Sequence, residues 1–282
     1  MRNTEFGVFR GSHMKRVLSA VILIPIALLV VIYAPELWYR YGVGGLGMLC
    51  LYEYCGLVRN MGIKIRTGFV FAVFWLLLGF MGLGTDHTVA IAVIMAAMLS
   101  IFLAAVLRPR LSIQERALAL MAETLGVFYF ALFLYPMFSV RFEFGSTTGL
   151  HWTIILLAVI WTNDTAALVV GRKFGRTRFA PQLSPKKTNE GAAGGLVAGV
   201  IAAVLLQHFL FTDIQIFHAV AVSILCGFFG QLGDLAESLL KRAAEVKDSS
   251  QLIPGHGGAL DRVDSLLFAF PVLYIYLVFL YK

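Results

Sequence analysis

Nine apolar runs, separated by short polar connections, decide what this chain can fold into. They cover residues 17–34, 38–58, 69–83, 88–107, 117–140, 150–171, 191–211, 214–240 and 266–281. Crossing the hydrocarbon core of a bilayer takes roughly 20 apolar residues in a helix. With 59% hydrophobic and only 14% charged residues, the chain is not a soluble globular one. The expected fold is all-α: a polytopic integral membrane protein of about nine transmembrane helices, forming one membrane domain over residues 14–282. No internal repeat points to the inverted halves of a transporter.

Residues 1–13 read as a leader left by cloning, since Gly11-Ser12-His13-Met14 resembles a cleaved tag and cloning site, and Met14-Lys15-Arg16 then opens the first span. A net charge of +7 raises the question of nucleic acid, but the basic residues sit in short connections between apolar runs. On a nine-span topology, 18 of the 23 Lys and Arg residues fall on one side and only Arg40, Arg141 and Lys282 on the other. That asymmetry predicts a cytoplasmic N-terminus, with both long polar loops, 172–190 and 238–264, on the cytoplasmic side of the cell inner membrane. Cys50, Cys55 and Cys226 have no metal-ligand spacing and read as buried small hydrophobes. Ser112-Ile113-Gln114-Glu115 has the pattern of a helix capping box. Gly191, Gly195 and Gly199 lie four apart, which suits close contact between helices.

The polar stretch Ser238 to Asp264 carries Lys241, Arg242, Glu245, Lys247, Asp248, Asp261, Arg262 and Asp264, together with a turn of four residues, Gly255-His256-Gly257-Gly258. Such a turn exposes backbone N–H groups and can approach an anion. Just before it, Asp234, Glu237 and Lys241 recur at i, i+3 and i+7 and share one helix face. Asp261 and Asp264 repeat the i, i+3 spacing at the start of the next helix, where acids are also ordinary dipole partners. The two helices flank one loop, so Asp234 can meet Asp261 and Asp264 around a hard cation, and carboxylate oxygens favour Mg²⁺ over softer metals.

The order Ser238, Lys241, Arg242, Lys247, Asp248, Ile253, Pro254, His256, Gly257, Gly258, Asp261, Arg262, Asp264 resembles the signature of the phosphatidate cytidylyltransferases, or CDP-diacylglycerol synthases; Ala259 stands where that family usually has a larger apolar residue. The second loop, Ser184-Pro185-Lys186-Lys187-Thr188-Asn189-Glu190-Gly191, is similar to another segment of the same family, with Asn189 in place of the usual Trp. The resemblance implies cytidylyl transfer from CTP to phosphatidate. It also implies Asp234, Asp261 and Asp264 as metal and catalytic residues with Lys241 and Arg242 beside them, and Ser184, Lys186, Lys187, Lys247, Asp248, His256, Gly257, Gly258 and Arg262 as substrate contacts. His256 either orients a phosphate or shapes the turn. Asn163 and Asp164 join the substrate set because a carboxylate within an apolar helix is a functional candidate by default. Glu53 and Glu123 stay outside it, the sequence leaving open whether they are structural partners of nearby arginines.

The expected partners are CTP, phosphatidate and membrane lipid, with no nucleic acid; a second cation and a homo-oligomer stay open. Two rival readings are weaker. A phosphoalcohol transferase acting on a CDP-lipid would carry an Asp-Gly dipeptide in its motif, and this chain has none. A cation transporter could use Asp164, Asp234 and Glu237 but leaves the glycine turn without a purpose.

Overall fold

The computed structural model describes residues 24–81, 87–250, 252 and 257–281. The leader, the onset of the first apolar run and His256 fall outside the described residues. In chain order the elements are α1 (Ile24–Tyr33), α2 (Glu36–Asn60), α3 (Thr67–Met81), α4 (His87–Val106), α5 (Ile113–Phe142), α6 (Ser146–Phe174), β1 (Arg178–Ala180), β2 (Ser184–Thr188), α7 (Asn189–Phe209), α8 (Ile216–Ala243) and α9 (Leu260–Phe279). Six of these, α4 to α9, are long and apolar enough to cross a membrane. Length and apolarity thus support six crossings among the described residues, against an expectation of nine: α3 is too short, and α2 carries Glu36, Arg40, Glu53 and Arg59. Large apolar side chains stand fully outward, such as Leu99 and Leu103 on α4 and Val197, Ile201 and Leu205 on α7. Faces of that kind suit hydrocarbon, not water. The chain is a helical, multi-pass membrane protein.

Local signals in the sequence account for several helix ends. Ser112 accepts from the Glu115 N–H while the Glu115 carboxylate accepts from the Ser112 N–H, the reciprocal cap expected there. Thr188 caps α7, its Oγ1 accepting from the Gly191 N–H at 3.1 Å. α6 runs unbroken through Asn163-Asp164. α9 begins six residues ahead of its apolar run, so Asp261 and Asp264 lie inside its first turns.

The 172–190 stretch, expected as a loop, contains the antiparallel hairpin β1–β2, pairing Arg178 with Thr188 and Ala180 with Ser184. The hairpin is anchored by its ends. The Glu190 carboxylate accepts from the Arg176 N–H at 3.0 Å and from Thr177 Oγ1 at 2.9 Å, and the Asn189 N–H donates to the Thr177 carbonyl. From α8, Arg242 Nε donates to the Leu183 carbonyl at 3.2 Å.

α6 packs along α7, and α8 along α9, with α7 also against α8 and α5 against α9. The glycine stripe faces α6. A Cβ on Gly191 would lie 2.7 Å from the Ala167 carbonyl oxygen, and one on Gly195 would collide with Asn163 Oδ1. Asn163 is buried between three helices: its Nδ2 donates to the Gly227 carbonyl on α8, and its Oδ1 accepts from Gln231 Nε2 at 2.8 Å. Gln231 Nε2 also donates to the Ala192 carbonyl on α7. A separate buried ion pair, Arg108 with Glu123 at 2.6 Å, ties the α4–α5 connection to α5, and the Arg66 N–H joins it. Glu123 thus has an arginine partner, a point the sequence left open. All three cysteines are free and buried.

Candidate active site

The C-terminal half of α6, the hairpin, the start of α7, the end of α8 and the start of α9 converge on a cavity of about 710 Å³. Both signs of charge line it. Asp164 and Arg172 come from α6, Asp234 from α8, Asp261 and Asp264 from α9, Arg178 from β1, and Ser184, Lys186 and Lys187 from β2. The elements explain the arrangement. A two-stranded hairpin cannot bury itself, so it lies across the mouth of the bundle and carries its lysines over the acids below. The i, i+3, i+7 spacing on α8 turns Asp234, Glu237 and Lys241 toward α9, as the periodicity implies.

Four of the acids gathered here have partners within the protein. Lys187 Nζ lies 2.5 Å from Asp234 Oδ2. Lys241 Nζ lies 2.5 Å from Glu237 Oε2 and 2.7 Å from Asp261 Oδ1. Asp261 Oδ2 accepts from the Ser249 N–H, Ser249 Oγ and the Gly258 N–H at 2.8–2.9 Å. Asp264 Oδ1 accepts from the Ser265 N–H. Glu237 is only 1% exposed, and its Oε1 is buried without a hydrogen-bond partner. A buried carboxylate oxygen left without a donor costs free energy unless a cation meets it. Oxygens of Asp234, Glu237 and Asp264 lie within 4.8 Å of one another, so the three can share one ion. An all-carboxylate set suits a hard divalent cation of the magnesium type. The donor set and the orphaned oxygen therefore fit a divalent metal.

The structure gathers most of the sequence-derived candidates but redistributes their roles. Asp234 and Asp264 meet as expected, while Glu237 completes the trio; Asp261, with both oxygens engaged by the protein, holds Lys241 instead. Asp164, Ser184, Lys186 and Lys187 face the cavity. Asn163 is turned into the helix clamp, and Arg242 pins the hairpin turn. Lys247, Asp248 and Arg262 are exposed near the loop and do not line the cavity. Of the glycine turn, Gly257 and Gly258 are among the described residues, and both pack against neighbouring groups. A Cβ on Gly258 would collide with Glu53 and Ser249, and Gly257 has a φ of +76°, a backbone state that favours glycine. The N–H of Gly258, in the turn expected to approach an anion, is taken by Asp261, and those of Ala259 and Leu260 are taken by Glu53. Sequence reasoning passed over Glu53, Glu237, Arg172 and Arg178. Only Glu237 carried a direct signal, its place one turn from Asp234.

Fold and site define a multi-pass membrane protein whose helix ends enclose a cavity lined by acids and bases together. The chain belongs to the Cytidylyltransferase family, whose model matches residues 14–280. It is 43% identical over 130 residues to the phosphatidate cytidylyltransferase of Staphylococcus haemolyticus (strain JCSC1435), covering 46% of this chain and 50% of that protein. To the phosphatidate cytidylyltransferase of Bacillus subtilis (strain 168) it is 43% identical over 129 residues, covering 46% and 48%. The chain spans about half the length of the curated relatives it matches.

Proposed function

We propose that the chain is a phosphatidate cytidylyltransferase, converting CTP and phosphatidate to CDP-diacylglycerol and diphosphate at the membrane surface. The observation that carries the reading is the gathering of Lys186, Lys187, Arg172 and Arg178 with Asp164, Asp234, Asp261 and Asp264 around one cavity, with Glu237 buried beside Asp234 and Asp264. A phosphate oxygen of phosphatidate attacks the α-phosphorus of CTP in line. The new P–O bond forms as the α–β bridging bond breaks, and diphosphate carries off the electron pair. The nucleophile is already an anion, so no strong general base is needed. The barrier is the approach of like charges, which fixed cations lower. Lys186, Lys187, Arg172 and Arg178 neutralise the triphosphate as it enters. Lys241, held between Glu237 and Asp261, keeps the trio from carrying its full negative charge. Asp234, Glu237 and Asp264 would hold a divalent cation of the magnesium type, which would supply further positive charge against the phosphates.

Nine crossings, a cytoplasmic N-terminus and a cytoplasmic site in the cell inner membrane complete the reading. The basic asymmetry of the connections and the supply of CTP on that side support it. The deciding experiment incubates purified protein in mixed micelles with labelled CTP, phosphatidate and Mg²⁺. Label extracted into lipid, with matching diphosphate release, is expected. An intact protein that yields no labelled lipid would remove the reading.

A further inference from the structure

We infer that Glu53, on α2 and outside the cavity, is a positioning residue for the acidic trio, holding Lys241 against Glu237 through Ser249 and Asp261. The cytidylyl-transfer reading gives this role its purpose, but the geometry stands apart from that reading. Glu53 is 2% exposed and surrounded by donors. Its Oε2 accepts from Ser249 Oγ at 2.9 Å and the Leu260 N–H at 2.8 Å; its Oε1 accepts from Ser250 Oγ at 2.6 Å and the Ala259 N–H at 2.9 Å. The last two backbone groups open α9, whose N-terminal end favours an anion. Ala259 offers no side-chain cap of its own, so a residue about 200 positions away caps this helix.

From Glu53 the contacts continue unbroken to the trio. Ser249 Oγ also lies 2.8 Å from Asp261 Oδ2. A hydroxyl has a single proton, so Ser249 can give it to only one of these two acids, and its backbone N–H secures Asp261. Asp261 Oδ1 then grips Lys241, and Lys241 grips Glu237 Oε2, leaving Oε1 as the orphaned oxygen. α2 is itself fixed. Tyr54, the next residue, donates from its hydroxyl to the Ala122 carbonyl at 2.9 Å and packs so close to Gly126 that a Cβ there would collide. Glu53 is thus presented from a rigid support. Without it, the 249–250 segment and the start of α9 lose their common anchor, Asp261 loses its alignment, and Asp264, in the first turns of α9, loses its set distance from Asp234 and Glu237.

Mn²⁺ binding followed by electron paramagnetic resonance, on the purified full chain without nucleotide or lipid, tests this directly. Glu53→Gln places an amide donor among four donors and is expected to weaken Mn²⁺ about tenfold. Glu53→Asp keeps the charge and is expected to recover part of that loss. Glu123→Gln, at the other buried acid, is the comparison: it is expected to lower the melting temperature while leaving Mn²⁺ affinity unchanged. Unchanged affinity in Glu53→Gln, equal weakening in Glu123→Gln, or a wild-type chain that binds no Mn²⁺ would each overturn the inference. Should Glu53→Gln fail to fold, Ser249→Ala removes only the shared hydroxyl and is expected to weaken Mn²⁺ about threefold; no change there also overturns it. A chain that binds Mn²⁺ in a Glu53-dependent way but makes no CTP-derived lipid would keep this inference and lose the reaction.

Discussion

Replacing Lys187 with alanine should move two binding constants in opposite directions. In the structure its ammonium sits 2.5 Å from Asp234, with the two side chains 27% and 31% exposed. It therefore occupies the place of a counter-ion at the very acids that would hold a metal. To grip a triphosphate, Lys187 has to exchange Asp234 for phosphate oxygens, leaving Asp234 to the metal. A hydrogen bond to a charged group contributes about 1.5–3 kcal/mol when buried, and solvent screening at this depth brings it nearer 1–1.5 kcal/mol. That corresponds to roughly five- to tenfold in a constant. Lys187→Ala should thus raise the KM for CTP by about five- to tenfold and tighten Mn²⁺ binding in the absence of nucleotide by a similar factor. The KM for phosphatidate, which the bilayer retains by its acyl chains, should change less than about twofold, since the lost contact is not its own. Initial rates in mixed micelles, with each substrate varied in turn, give both KM values, and paramagnetic resonance gives the Mn²⁺ constant. A larger rise for phosphatidate than for CTP, or weaker Mn²⁺ binding, would refute the exchange.

Chelation should abolish activity, and Asp264→Asn should lose it at least 100-fold on the scale of an electrostatic transition-state contact, while keeping a wild-type melting profile; full activity in Asp264→Asn would show that the trio is not used. Cysteines placed at the exposed Arg176 and Lys247 should label with an impermeant reagent from the same side of sealed vesicles, against little background from the three buried native cysteines; labelling from opposite sides would break the topology. Gly195→Ala pushes a methyl group into Asn163 and should destabilise the α6–α7 contact by about 1–3 kcal/mol, read as a lower melting temperature in detergent.

The membrane architecture was legible because the length of an apolar run reports directly on the thickness it has to cross. The glycine stripe and the Ser112–Glu115 cap were legible for a similar reason, since both act within one helix or along one face. The hairpin was not. Ser184 to Thr188 combines proline with two lysines, a composition that reads as a loop, and its strands hold only because Glu190 and Arg242 pin their ends. The exchange between Asp261 and Glu237 has another cause. Helical periodicity puts Asp234, Glu237, Asp261 and Asp264 near one another, but the position of Lys241 decides which of them is neutralised. Glu53 lay furthest from view, since its four donors come from a loop and a helix start that no local pattern connects to α2.

The amide clamp of Asn163 and Gln231 has a bearing on the cell's energy supply. Both side chains spend polar groups on one another or on backbone carbonyls, and the layer beyond them, with Val159, Ile155, Ala203 and Cys226, is buried and apolar. Among the described residues next to the clamp, an ion or water that reaches Asp234 meets the apolar side chains of Val159, Ile155, Ala203 and Cys226. On the proposed reaction, an apolar layer at this depth would let a bilayer host highly charged substrates without opening a leak for protons or sodium, and so without discharging the gradients stored across it.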